Sequence, residues 1–163
     1  LIKAGLCHDL GKRMFGERIH DASTGDNQEL IRKHVRESLN IIRQNADKIG
    51  EGNIFERLSE IVAMVHEVGR GDISRYPRNN EENNHSGEDR RSKTDDELKA
   101  LEKYAKIVAV IDRYCAMVEN RSYRKKKIEP TKALKHVSKQ FPVNEGLAKY
   151  IFEKHRSGEF KIE

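Results

Sequence analysis

Residues 95–120 read DDELKALEKYAKIVAVIDRYCAMVEN. The inward candidates Leu101, Ala105, Val108, Asp112 and Cys115 are separated by 4, 3, 4 and 3 residues. That spacing marks one face of an α-helix, which turns once in about 3.6 residues. A strand would show strict alternation, and this stretch does not. The seam contains a carboxylate, Asp112. A lone buried carboxylate is strongly disfavoured, so Asp112 calls for a cation, a metal ion or several donors beside it.

Working outward, the same period recurs. Residues 1–14 read as a buried helix from the run Leu1, Ile2, Ala4, Leu6, Leu10. FGERIHDASTGDN (15–27) reads as a loop. A helix is expected from Gln28 to Ile49, carrying Leu30, Ile31, His34, Ser38, Ile41 and Ile42 on one face, with Gly50 and Gly52 stopping it. Another is expected over 54–68, with Leu58, Ile61, Val62 and Val65 inward. Residues 69–97 are almost free of apolar side chains and read as a polar loop or insert. After the helix at 95–120 comes a basic turn, RSYRKKKIEP (121–130), then two shorter helices over 129–140 and 144–155. No repeat and no convincing strand is visible. The expected class is all-α, a helical bundle formed by a single domain over 1–163.

Composition narrows the function. The 163 residues are 36% hydrophobic and 36% charged, with a formal net charge of +5. The charges are interspersed, which suits an anionic substrate without arguing for direct nucleic-acid binding. No apolar run approaches the roughly 18 residues of a membrane span. Cys7 and Cys115 form no CxxC pair and read as reduced core thiols, which predicts a cytoplasmic protein. The chain opens on Leu1 in mid-pattern, which predicts a fragment of a longer polypeptide.

Polar residues on apolar faces are the informative ones. His8 and Asp9 lie between Leu6 and Leu10, His34 shares a face with Ile41 and Ile42, and His66 lies one turn beyond Val62. With Asp112, these residues from four expected helices point to one interior. Imidazole and carboxylate together suit manganese, iron or zinc. Asp9 has two oxygens and can bridge two ions, which can clamp a phosphate and activate water for in-line attack. Lys12 follows Asp9 by three residues and can steady phosphate charge. Taken singly, each piece has a plain alternative: a hydrogen-bonded core histidine, or a carboxylate capping a neighbouring helix.

Taken in order, the motifs resemble the HD phosphohydrolase superfamily and specifically its HD-GYP branch. LCHDLGK (6–12) is similar to the HD-x-GK signature, and IRKHVRES (31–38) to the next metal-binding helix. IVAMVHEVGRGDISRYP (61–77) resembles the HHE and GYP segments. IVAVIDRYCAMVENRSYRKK (107–126) resembles the segment with a metal-binding Asp and a later R-x-Y-R contact. TKALKHVSKQFPVNEGL (131–147) resembles the closing helices.

The resemblance implies a bundle holding two or three divalent transition-metal ions, iron or manganese foremost, on His8, Asp9, His34, His66 and Asp112. It implies catalytic roles for Asp9 and Lys12, and substrate contacts from Lys12, Tyr76, Arg121 and Arg124. The implied reaction is hydrolysis of cyclic di-GMP or a related cyclic dinucleotide in bacterial signalling, with a sensory or receiver domain upstream. Two departures stand out. Val65 occupies the place of the first His of HHE, and Arg75 that of the Gly of GYP. A helix that normally precedes the signature and supplies a further His has no counterpart in the sequence. These departures keep two alternatives in view: a degenerate domain that binds a nucleotide or a protein without hydrolysis, and a phosphohydrolase with another phosphate-ester substrate.

Overall fold

A computed structural model of the chain describes residues 2–16, 25–49, 53–65, 68, 94–120 and 126–161. Among these residues the regular structure is helical and no strand occurs. The elements are α1 (Ile2–Cys7), a 3-10 helix (Leu10–Met14), α2 (Gly25–Gln44), α3 (Ala46–Ile49), α4 (Asn53–Val65), α5 (Asp95–Val118), α6 (Pro130–Gln140), a second 3-10 turn (Pro142–Asn144) and α7 (Glu145–Arg156).

The long helix α5 is the axis, packing against α1, α4, α6 and α7. Its start is well specified. Thr94 accepts a hydrogen bond from the Glu97 backbone, and the Glu97 side chain accepts one from the Thr94 backbone. This reciprocal cap satisfies two amides the helix leaves open. Asp95, Asp96 and Glu97 add negative charge to the first turn, where the helix dipole favours it. Residues 95–97, the last of the polar stretch read as 69–97, are helical; 69–93 lie outside the described residues.

Leu101, Ala105 and Val108 are buried as their spacing predicts, while Asp112 and Cys115 are half-buried. The helix has a second inward face that the single-stripe reading did not include: Val110, Tyr114, Met117 and Val118 are also buried. They share a core with Ala133, Val137, Ala148 and Ile151 of α6 and α7. Each fully buried Val contributes on the order of 1.5–3 kcal/mol. After α5 the chain returns to it, because the Ile128 amide donates to the Met117 carbonyl at 2.9 Å. Glu129 then caps α6 by accepting from the Thr131 and Lys132 amides, with Pro130 in the first turn.

On α4, Leu58, Ile61, Val62 and Val65 are all buried, as expected. On α2, His34, Ser38 and Ile42 are buried at successive turns. The N-terminal segment departs from expectation in two ways. It is not one helix over 1–14: α1 stops at Cys7, His8 and Asp9 form a turn, and a 3-10 helix follows. Nor is the run buried, since Ile2 is 82% and Leu6 72% exposed. A six-residue helix turns one narrow side to the core, and here Ala4 occupies it, with His8 of the following turn also buried.

Candidate metal centre

The break at His8–Asp9 builds the site. A continuous helix would send His8 and Asp9 about 100° apart around its axis. Instead the turn aims both side chains at the same place. Asp9 stands at the N-terminus of the 3-10 helix yet makes no side-chain cap there, so its carboxylate is available to the neighbouring imidazoles. Its Oδ2 lies 3.4 Å from His8 Nε2, and its Oδ1 lies 3.2 Å from His34 Nε2. Asp112 reaches in from α5, with Oδ1 at 3.4 Å from His8 Nε2. Lys12 forms an ion pair with Asp9 Oδ2.

The His8 ring is oriented by its other nitrogen. Nδ1 lies 2.8 Å from the Gly5 carbonyl, which can only accept, so Nδ1 carries the proton. In the neutral ring the lone pair then sits on Nε2, facing both carboxylates, which is the tautomer a metal ligand needs.

The turn is held against α2 by Ser38, which is fully buried. The Gly11 amide donates to Ser38 Oγ at 2.8 Å, and Ser38 Oγ donates to the His8 carbonyl at 2.9 Å. Gly11 is where the two backbones meet. A Cβ there would fall 1.9 Å from the His34 carbonyl oxygen and 2.6 Å from the Ser38 nitrogen. Only glycine fits.

Charge in the site is tightly coupled. Burial alone would raise the Asp9 carboxyl, but the His34 hydrogen bond and the charges of Lys12 and His8 hold it well below the usual carboxylate range. Burial opposes ionisation of Asp112 too, and so does the charge of Asp9; the His8 hydrogen bond and the charges of His8 and Lys12 together outweigh them, and its carboxyl is also lowered. Burial disfavours the His8 imidazolium, yet Asp112 and Asp9 raise its pKa above the ordinary value. Both carboxylates are therefore ionised at neutral pH, and the site favours positive charge.

These donors fit a divalent ion. One ligand atom each from His8, Asp9 and Asp112 lie within 4.8 Å of one another. Slight closure would bring them around an ion with bonds of about 2.0–2.2 Å. A mixed nitrogen and oxygen set suits manganese, iron or zinc.

Of the residues singled out in the sequence, His8, Asp9, Lys12, His34 and Asp112 come together. His66, Tyr76, Arg121 and Arg124 lie outside the described residues, as do Glu67 and Arg75. Val65, at the place of a histidine in the HD-GYP pattern, is a buried core residue at 3% exposure. Cys7 and Cys115 form no disulfide, and both are half-buried. Ser38 shares the His34 face in the sequence without belonging to the expected ligand set. Its signal is a hydroxyl one turn after His34 on an apolar face, which needs polar partners when buried.

No curated protein and no solved structure matches the chain. The family model of the HD domain does match, over residues 1–117, a span that takes in α1, α2, α4, nearly all of α5 and every residue of the cluster just described. With more than two thirds of its length matched, and with the His–Asp pair of that family at the centre of its buried polar cluster, the chain belongs to the HD domain family, whose members are typically metal-dependent hydrolases.

Proposed function

We propose that the chain is a metal-dependent phosphodiesterase of the HD-GYP type, acting on a cyclic dinucleotide and foremost on cyclic di-GMP. The observation that carries this reading is the division of Asp9. One oxygen faces His8 and the other faces His34, at 3.4 and 3.2 Å. A carboxylate so divided suits two ions at once, and paired ions suit phosphoryl chemistry.

In this reading His8, Asp9 and Asp112 would hold one ion, and Asp9 and His34 with His66 would hold the second. A third ion would need donors beyond these. Iron and manganese match the donor set best. Ions held there would supply Lewis-acid polarisation of the phosphoryl oxygens and a water nucleophile at neutral pH. The chain's own residues do the rest. Gly5 fixes the His8 tautomer, and Lys12 keeps an ammonium beside Asp9, where it can offset charge on a phosphate. Arg121 and Arg124 belong to the basic segment that follows the Asp112 helix, and guanidinium is apt for bidentate phosphate contact. Tyr76 would contact the base or sugar. Such an enzyme would act in the cytoplasm, as the output of a sensory or receiver domain upstream. No described helix is long and apolar enough to cross a membrane.

The test is to load the purified chain with Mn²⁺ or Fe²⁺ and follow conversion of cyclic di-GMP to linear dinucleotide or GMP. His8→Ala and Asp9→Ala should abolish turnover and deplete bound metal. Full activity in either variant refutes the reading.

Val65 favours a second reading. A buried valine cannot ligate, so the site has one imidazole fewer than the HD-GYP pattern supplies. A domain that binds nucleotide without cleaving it would then retain affinity for cyclic di-GMP with no bound ions and no product. A phosphohydrolase of different specificity would instead carry metal and cleave other esters in a substrate panel.

A further inference from the structure

We infer that Ser38 is a positioning residue that sets the register between the two halves of the metal site; this rests on the metal-centre reading above. His8 and Asp9 sit in the gap between α1 and the 3-10 helix. Within that gap the backbone is held lengthwise by the His8 amide on the Ala4 carbonyl and the Lys12 amide on the Asp9 carbonyl. Neither bond fixes the turn sideways against α2. Ser38 does so, and from both sides of Asp9. Its hydroxyl accepts from Gly11 at 2.8 Å and donates to the carbonyl of His8 at 2.9 Å.

Ser38 lies one helical turn after His34, so the two share a face of α2. The helix thus grips the turn with one side chain on the Asp9 carboxylate and another on the backbone flanking it. The distance between Asp9 Oδ1 and His34 Nε2 is set by how α2 lies on the turn, which is the contact Ser38 makes. Asp112 arrives from α5, an element Ser38 does not tie. The hydroxyl therefore governs the Asp9–His34 half more than the His8–Asp9–Asp112 half.

The experiment titrates the purified full chain with Mn²⁺, measuring calorimetric affinities and the electron paramagnetic resonance signal of paired ions, with melting temperature recorded throughout. Wild type is expected to bind two ions with a coupled signal. Ser38→Ala is expected to weaken one ion by about 10-fold or more, the size typical when a partner that orients a ligand is removed. The other ion should stay near wild-type affinity, and the coupled signal should disappear. Ser38→Cys keeps nearly the same shape but offers a weaker donor and acceptor. It should show the same loss, and it carries the test if Ser38→Ala does not fold. Val137→Ala controls for plain destabilisation, because Val137 is fully buried on α6 and belongs to none of the metal-site elements. It should bind both ions as wild type does.

Two strong ions in both Ser38 variants would overturn the inference, as would an equal loss in Val137→Ala. A wild-type chain that binds no ion would overturn the metal-centre reading itself, which is a separate and recognisable result.

Discussion

The helix α5 presents two polar side chains, Asp112 and Tyr114, to opposite sides of the bundle, and the two sides handle polarity differently. Two residues apart, they point about 200° apart around the helix. Tyr114 is fully buried and its hydroxyl meets His155 Nδ1 of α7 at 3.0 Å, with the rings edge to face at 84°. One donor meets one acceptor, amid aliphatic neighbours. Asp112 instead shares His8 with a second carboxylate, and Asp9 also serves His34 and Lys12. The Tyr114 side is a closed pair, which gives a core a specific contact at small cost. The Asp112 side gathers carboxylate oxygens around shared imidazoles, which is expensive in a folded protein unless a cation is meant to join them. One face of the helix holds the bundle together, and the other holds a place for charge.

Substitutions can break this contrast, and the largest effect is expected at Gly11. Gly11→Ala would drive a methyl into the His34 backbone. The expected cost is about 4 kcal/mol or more, the range reserved for severe core changes, and denaturant unfolding would measure it. Next is Asp9→Ala. It should lower the proposed phosphodiesterase turnover by more than about 100-fold, beyond what loss of an orienting partner costs, while circular dichroism keeps the helical signal. Third, Mn²⁺ should raise the melting temperature of wild type. Free ion at 100 times its Kd adds about 2.7 kcal/mol, or roughly 5–10 °C for a chain of this size. His8→Ala should abolish that rise, whereas Tyr114→Phe should leave it whole. If Tyr114→Phe also lost it, the two faces would not be independent.

The same helix shows what a sequence can and cannot disclose. The α-helical class, the inward face of α4 and the convergence of His8, Asp9, His34 and Asp112 all follow from period and from the cost of burying polar groups. The break at His8–Asp9 does not. Leu6 and Leu10 continue a helical pattern across it, and what stops the helix is tertiary: Ser38, 27 and 30 residues away from its partners, and the close approach at Gly11. The second face of α5 was hidden for a related reason. A helix buried on two sides has no single stripe, so Tyr114 looked like one more aromatic in a helix. Its partner His155 is 41 residues along the chain, and no local pattern announces it.

The smallest effect concerns that pair, and it tests whether the Tyr114 side is purely structural. Burial, reinforced by the charges of Cys115 and Glu129, pushes the Tyr114 phenol from 10.0 up to about 12. The folded chain therefore keeps this proton where the unfolded chain releases it. The stability involved is complete below pH 10, declines as pH rises from there, and is lost through about pH 12. Tyr114→Phe removes both the hydrogen bond and this titration. It should cost about 1 kcal/mol at neutral pH, and the gap to wild type should narrow or reverse above pH 10. Denaturant unfolding across that range, with tyrosinate absorbance followed in parallel, would read both. A gap that stays constant from pH 8 to pH 12 would mean the phenol is not held neutral by its surroundings. The contrast with the carboxylate side, where charge is gathered and kept, would then fail.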